Sequence, residues 1–317
     1  MSETRRPRPR RRRPLRAAVG FLVLLAVVGY AAVQRYYNGG GAPYCVARAA
    51  AAGAGPGAVG GTYELTPEQA ANAATIAAVG IVRGLPDRAV TIALATAMQE
   101  SALRNLDHGD RDSLGLFQQR PSQGWGAPEQ VMDPVYSAGV FYDRLAEVPR
   151  YAELPLAQAA QTVQRSGFPD AYAKHEPDAA VLTAAIGGAG SLSCSGPEAA
   201  AGDPQKVRTE LSRTFGAQAL AGAGDGRPGV TGADGAREAE VNLRLDGGGG
   251  AAEERRGRAM AQWAVARSGE LGIARVSYAG GAWVAGLSGA AWQPSGGDGT
   301  GGRHASAAGE VRIFVAR

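Results

Sequence analysis

Histidine and cysteine are almost missing from this chain: three histidines and two cysteines stand among 317 residues. His108, His175 and His304 are scattered singly, so the nitrogen and sulfur ligands of a zinc or heavy-metal cluster are lacking. We expect no metal and no other cofactor. A basic surplus is missing as well, once the N-terminus is set aside. The chain has 33 Lys and Arg against 29 Asp and Glu, but eight of those arginines and one glutamate fall within residues 1–16, leaving 25 basic against 28 acidic side chains. Without an electrostatic footprint for phosphate, nucleic acid is excluded as a partner. A single long apolar run also excludes a transporter.

That run is Ala17 to Val33, uncharged and rich in Leu, Val and Ala. It lies at the short end of what spans a bilayer, and Arg16 and Arg35 extend it by snorkelling. Arginines crowd one flank only, which keeps residues 1–16 in the cytoplasm and sends the rest outside. We read residues 17–33 as an uncleaved membrane anchor, because no clean Ala-x-Ala site follows. A cleaved signal peptide is the competing reading. Residues 34–61, dominated by Gly and Ala, read as a flexible stalk that carries Cys45. Its only possible partner within the chain is Cys194. Two cysteines at the borders of an extracytoplasmic domain are expected to bond; two free thiols or a bond to another chain are the alternatives.

From Thr66 the pattern turns helical. Thr66-Pro67-Glu68-Gln69 is a capping box with proline at the first helical position. The helix it opens runs to about Arg83, and Gly84-Leu85-Pro86 separates it from a second helix that ends near Glu100. A short helix is expected near Ser113, and others over Val135–Glu147, Pro155–Arg165 and Pro177–Ile186, without a convincing strand. In the second helix Glu100 shares a stripe with Ala89, Ala93 and Ala97. A carboxyl at the end of an inward face, taken from water, holds its proton near neutrality and is suited to general acid work. The plainer alternative is a helix-end glutamate that returns to solvent or pairs with Arg104.

After Glu100 the chain reads Ser-Ala-Leu-Arg-Asn, then the loop Asp107 to Asp112, then Ser113-Leu114-Gly115-Leu116-Phe117-Gln118-Gln119. This resembles the lysozyme-like peptidoglycan lyases and hydrolases, that is, the soluble lytic transglycosylases, goose-type lysozymes and their actinobacterial relatives. Their signature joins a Glu-Ser at a helix end to a downstream Gly-Leu-Met/Phe-Gln. The resemblance implies that Glu100 is the catalytic acid, that Ser101 supports it, and that Gly115, Leu116, Phe117 and Gln118 form a turn lining the sugar cleft. It further implies the substrate class, the glycan strands of peptidoglycan. Gln118 and Gln119 are placed to bond acetamido groups, and Trp125 and Tyr136 offer flat faces to sugar rings; surface glutamines and a core tryptophan are the alternatives. Residues 160–172 resemble a third family motif, in which Tyr172 fits a tyrosine close to the acid. Gln164 and Arg165 stand where a Tyr-Asn pair is expected, a departure that bears on the transglycosylase assignment. Asp110 and Asp112 set a mechanistic fork. Either one faces Glu100 and activates water, giving inversion, or both solvate the loop and Glu100 serves as acid and then base, giving an anhydro-sugar.

Residues 195–235 read as a linker with an amphipathic piece over Val207–Phe215. Residues 236–317 read as a small α/β unit, with strands at Val241–Leu245, Arg275–Tyr278 and Glu310–Val315 and a helix over Arg255–Glu270. The run from Met260 to Tyr278 with Ala282-Trp283 and Gly301-Gly302-Arg303-His304 resembles a C-terminal domain of actinobacterial wall proteins akin to zinc D-Ala-D-Ala peptidases. The strand Gly309-Glu310-Val311-Arg312-Ile313 lacks that family's histidine ligands, so this part reads as non-catalytic. The expected architecture is a transmembrane helix, a mainly α lysozyme-like domain over 62–194 and a small α/β domain. The expected activity is glycan-strand cleavage at the outer face of the membrane, with a catalytically silent wall-binding scaffold as the alternative.

Overall fold

The computed structural model describes residues 29, 42–50, 59–220, 225–231, 237–245, 250–287, 291–294 and 309–317. The expected anchor over 17–33, Gly29 apart, and the Gly301–His304 stretch lie outside them. The first described element is a strand. β1 (Tyr44–Ala50) pairs antiparallel with β2 (Val59–Leu65) on one side and with β3 (Gly190–Ser195) on the other, giving the order β2-β1-β3. Cys45 and Cys194 face each other directly in the β1–β3 register and form a disulfide.

These strands correct the expected fold class. The N-terminal half is not helix and loop alone, and the molecule combines its helices with two antiparallel sheets. Nor is any helix among the described residues long and apolar enough to cross a membrane, so the expected transmembrane helix finds no support. The strands were hidden for a physical reason. β1 reads Tyr-Cys-Val-Ala-Arg-Ala-Ala, and alanine carries no strand preference. What makes it a strand is a partner lying 149 residues away at the disulfide.

Between β2 and β3 the described residues form five helices of nine residues or more, α1 (Pro67–Val82), α2 (Asp87–Ser101), α3 (Pro134–Ala146), α4 (Leu156–Gln164) and α5 (Glu176–Gly187), with one further turn of helix at Pro128–Val131. The caps are local. Thr66 Oγ1 accepts from Gln69 N at 3.3 Å while Gln69 Oε1 accepts from Thr66 N at 2.9 Å. Asp133 Oδ1 accepts from Val135 N at 2.8 Å at the start of α3. Small residues let the helices close on one another. Gly80 of α1 lies under Tyr142 of α3, where a Cβ would come within 2.7 Å of the phenol oxygen, and that phenol donates to Ile76 O at 3.0 Å. α2 is buried from Ala89 to Met98 on every side, so it is the axis of the helical part rather than a surface helix.

Past β3 come α6 (Pro204–Phe215) and a six-stranded antiparallel sheet. Its strands are β4 (Asp225–Thr231), β5 (Arg237–Arg244), β6 (Ile273–Tyr278), β7 (Gly281–Val284), β8 (Gln293–Pro294) and β9 (Glu310–Ala316), in the order β4-β5-β9-β6-β7-β8. α7 (Ala251–Ala266) packs on β6 and β9 through a side that buries Met260, Trp263 and Ala264. Other strand residues carry charge in matched pairs, Arg275 with Glu238 at 2.6 Å and Arg312 with Glu240 at 2.6 Å.

Residues 43–317 form one compact unit, and α7 is the main element that joins its two parts. α7 packs against α1, α5 and β3. Its Gln262 Oε1 accepts from Leu192 N at 2.9 Å, and the Trp292 indole N–H donates to Leu192 O at 3.0 Å. Arg255 adds a bond to Leu85 O at 2.8 Å and an ion pair with Asp87 at 2.6 Å.

Candidate active site

Glu100 stands one residue before the end of α2, where the buried helix runs out. The helix stops because Ala102 and Leu103 take left-handed backbone angles, with φ of 51° and 60°, and their N–H groups return to Met98 O and Ala97 O. The Glu100 carboxyl is half-buried. Tyr172, fully buried in the 3₁₀ helix over Pro169–His175, donates its hydroxyl to Glu100 Oε1 at 2.6 Å. Gln164, the last residue of α4, donates its amide N–H to Phe117 O at 2.8 Å and stands near enough to the carboxyl to lower its pKa. Burial pushes the Glu100 pKa above the ordinary carboxylate value, and Tyr172 and Gln164 pull it partly back. The C-terminal end of the α2 dipole repels a negative charge and so acts in the same direction as burial. For Tyr172, burial and the neighbouring carboxyl raise the hydroxyl's pKa, which keeps it a donor.

Ser101 is buried and its hydroxyl ties two segments together, through Ala97 O at 3.1 Å and Leu116 O at 2.8 Å. The segment it grips, Ser113–Gln119, is a turn rather than the expected short helix. Gly115 bridges to Leu106 and Leu114 bridges to Gln119. Gly115 has φ of 75°, and a Cβ there would sit 2.4 Å from Val131 O, so no other residue fits.

Several of the expected cleft residues prove to be interior. Leu116 and Phe117 are fully buried, Phe117 stacking on Phe141 with ring centroids 4.7 Å apart. Gln119 is buried and donates to Ser137 O at 3.0 Å. Trp125 is buried as well, beneath the Arg144 guanidinium at 3.5 Å from the ring centre. These four hold up the wall of the site and do not face it. Gln118 is partly exposed, its amide bonding to His108 O and Gly115 O at 3.3 Å each.

The two aspartates divide. Asp110 is exposed, 4.0 Å from Arg111. Asp112 is committed on both oxygens, accepting from Arg120 Nε at 2.9 Å and from Ser122 N at 2.8 Å. Those bonds hold its carboxyl well below the usual carboxylate range, so it is a poor base. The structure therefore brings together Glu100, Ser101 and Tyr172, and leaves Asp112 to brace the loop.

Two residues of the segments that carry the site had no role assigned from sequence. Gln164 is one; a glutamine at a helix end carries no signal of its own. Phe168 is the other, a 76% exposed phenylalanine four residues before Tyr172, the residue that donates to the acid. Among the described residues no group of His, Cys, Asp and Glu is arranged to hold a metal. A cavity of about 530 Å³ lies elsewhere, between the start of α1, the segment following Cys194 and Trp283, and Glu100 does not line it. No family model matches the chain, and a search of the curated proteins finds no match either.

Proposed function

We propose that this chain cuts the glycan strands of peptidoglycan outside the cytoplasm, with Glu100 as general acid and then base. The observation that carries the reading is the half-sheltered Glu100 carboxyl, held by Tyr172 at 2.6 Å with its pKa raised by burial. Such a group gives its proton to the glycosidic oxygen as the C1–O bond breaks, and the resulting carboxylate takes a proton back from the attacking hydroxyl. The engagement of Asp112 with Arg120 and Ser122 favours the branch in which Glu100 works alone and the attacking hydroxyl is the sugar's own, yielding an anhydro end. An extracytoplasmic site agrees with the Cys45–Cys194 disulfide, since such bonds persist in oxidising compartments.

Incubation of the protein with purified sacculi tests this. Release of soluble muropeptides is expected, and Glu100→Gln is expected to lower it by at least about a hundredfold while sedimentation with sacculi is retained. Mass spectrometry of the products separates anhydro from reducing ends by one water. No release by the unaltered protein across a range of pH would leave the wall-binding scaffold in its place.

A further inference from the structure

We propose that Phe168 is the platform on which a pyranose ring of the substrate stacks beside Glu100, an assignment that rests on the glycan-cleaving reading above. Among the described residues three large hydrophobic side chains are exposed, Tyr44, Leu287 and Phe168, and Phe168 is the most exposed at 76%. Leaving a phenyl ring in water forgoes the free energy its burial would supply. The ring is nevertheless presented on a braced loop. α4 ends in a left-handed Arg165, with φ of 52°, whose N–H returns to Gln161 O at 2.8 Å. Gln161 Nε2 donates to Ser166 O at 2.8 Å, and Ser166 Oγ accepts from Phe168 N at 3.2 Å. Pro169 then opens the 3₁₀ turn, where Ala171 N bonds back to Phe168 O at 3.1 Å.

The same loop leads directly to the acid. Ser166 Oγ holds the Phe168 backbone, and Tyr172, four residues further along the same 3₁₀ turn, donates its hydroxyl to Glu100, so Phe168 and the residue that holds the acid share one short segment. The face of a phenyl ring carries the negative lobe of its quadrupole, and the axial C–H groups on one side of a pyranose form a flat, weakly positive surface that matches it. Of the two aromatics expected from sequence to serve the sugar, Trp125 lies buried under Arg144 and is closed to this role, and Tyr136 is partly buried. Phe168 supplies the open face in their place, and its task is to position the ring, not to move protons.

The test uses the full chain with Glu100→Gln, which binds without consuming its ligand, and a GlcNAc–MurNAc tetrasaccharide as probe in titration calorimetry. Adding Phe168→Ala is expected to weaken binding about tenfold, and Phe168→Trp to keep it within about twofold. In the active protein, Phe168→Ala is expected to raise KM about tenfold and leave kcat within about twofold. Since the side chain is mostly in solvent, the melting temperature of the variant serves as a control for folding. Equal binding with and without the phenyl ring would overturn the assignment alone. Failure of the parent protein to bind the tetrasaccharide, together with no cleavage of sacculi, would overturn the glycan-cleaving reading and this one with it.

Discussion

At Glu100 two demands conflict: the folded chain shelters a group that water prefers to keep ionised. Its folded pKa lies above its unfolded value, so the folded state binds the proton more tightly than the unfolded state does. The contribution to stability is therefore complete at pH below the unfolded pKa and is lost as pH rises through the folded one. Glu100→Gln removes the ionisation and keeps an oxygen for the Tyr172 hydroxyl. We expect this variant to melt higher than the parent at pH 7 to 8, with the difference shrinking toward pH 4. Melting curves across that range check it; a constant offset would mean that the carboxyl is no harder to ionise in the folded protein than in the unfolded one. Tyr172 and Gln164 show why a sequence reveals such a residue only in part. The alanine stripe of α2 places Glu100 on an inward face, but the two side chains that tune its carboxyl come from 64 and 72 residues downstream and belong to no local pattern.

Among the elements, those specified by their own termini were the legible ones. α1 starts at its capping box and α3 behind Asp133-Pro134, within a residue of where the caps put them. α4 likewise follows Pro155, and α5 starts at Glu176 with Pro177 in its first turn. The strands β5, β6 and β9 were legible too, from their own alternation, but elements that lack such a pattern were not: β1 and β3 are strands because each completes the other, and Ser113–Gln119 is a turn because Ser101 and Val131 hold it from outside. Burial of Leu116, Phe117, Gln119 and Trp125 was hidden for the same reason, since apolar and amide side chains next to a cleft motif read alike whether they face ligand or core. The turn is where the site is most fragile. Gly115→Ala would meet both the strain of φ at 75° and the Val131 carbonyl 2.4 Å away. We expect a loss of about 3 kcal/mol in denaturant unfolding. We also expect activity to fall further than stability explains, because the same turn anchors Ser101 and, through Phe117 O, Gln164.

On the scale of the molecule, the Cys45–Cys194 bond closes a circuit spanning 149 residues, with the whole helical part inside it. In the chain-entropy model such a loop is worth about 5 kcal/mol, and replacing both cysteines by serine is expected to cost about 3 to 5 kcal/mol. Chemical denaturation of the Cys45→Ser, Cys194→Ser protein, beside the parent with and without reductant, measures it. The reduced parent should match the double variant. The bond between the parts works differently. β3 is the outermost strand of its sheet, and its outward peptide groups at Leu192 are taken up by Gln262 and Trp292 from the C-terminal part. A free strand margin is a template on which a neighbouring chain can add itself. The C-terminal part thus acts as a guard rail, and a chain cut off after Ser195 would leave that margin open to strand addition by a copy of itself.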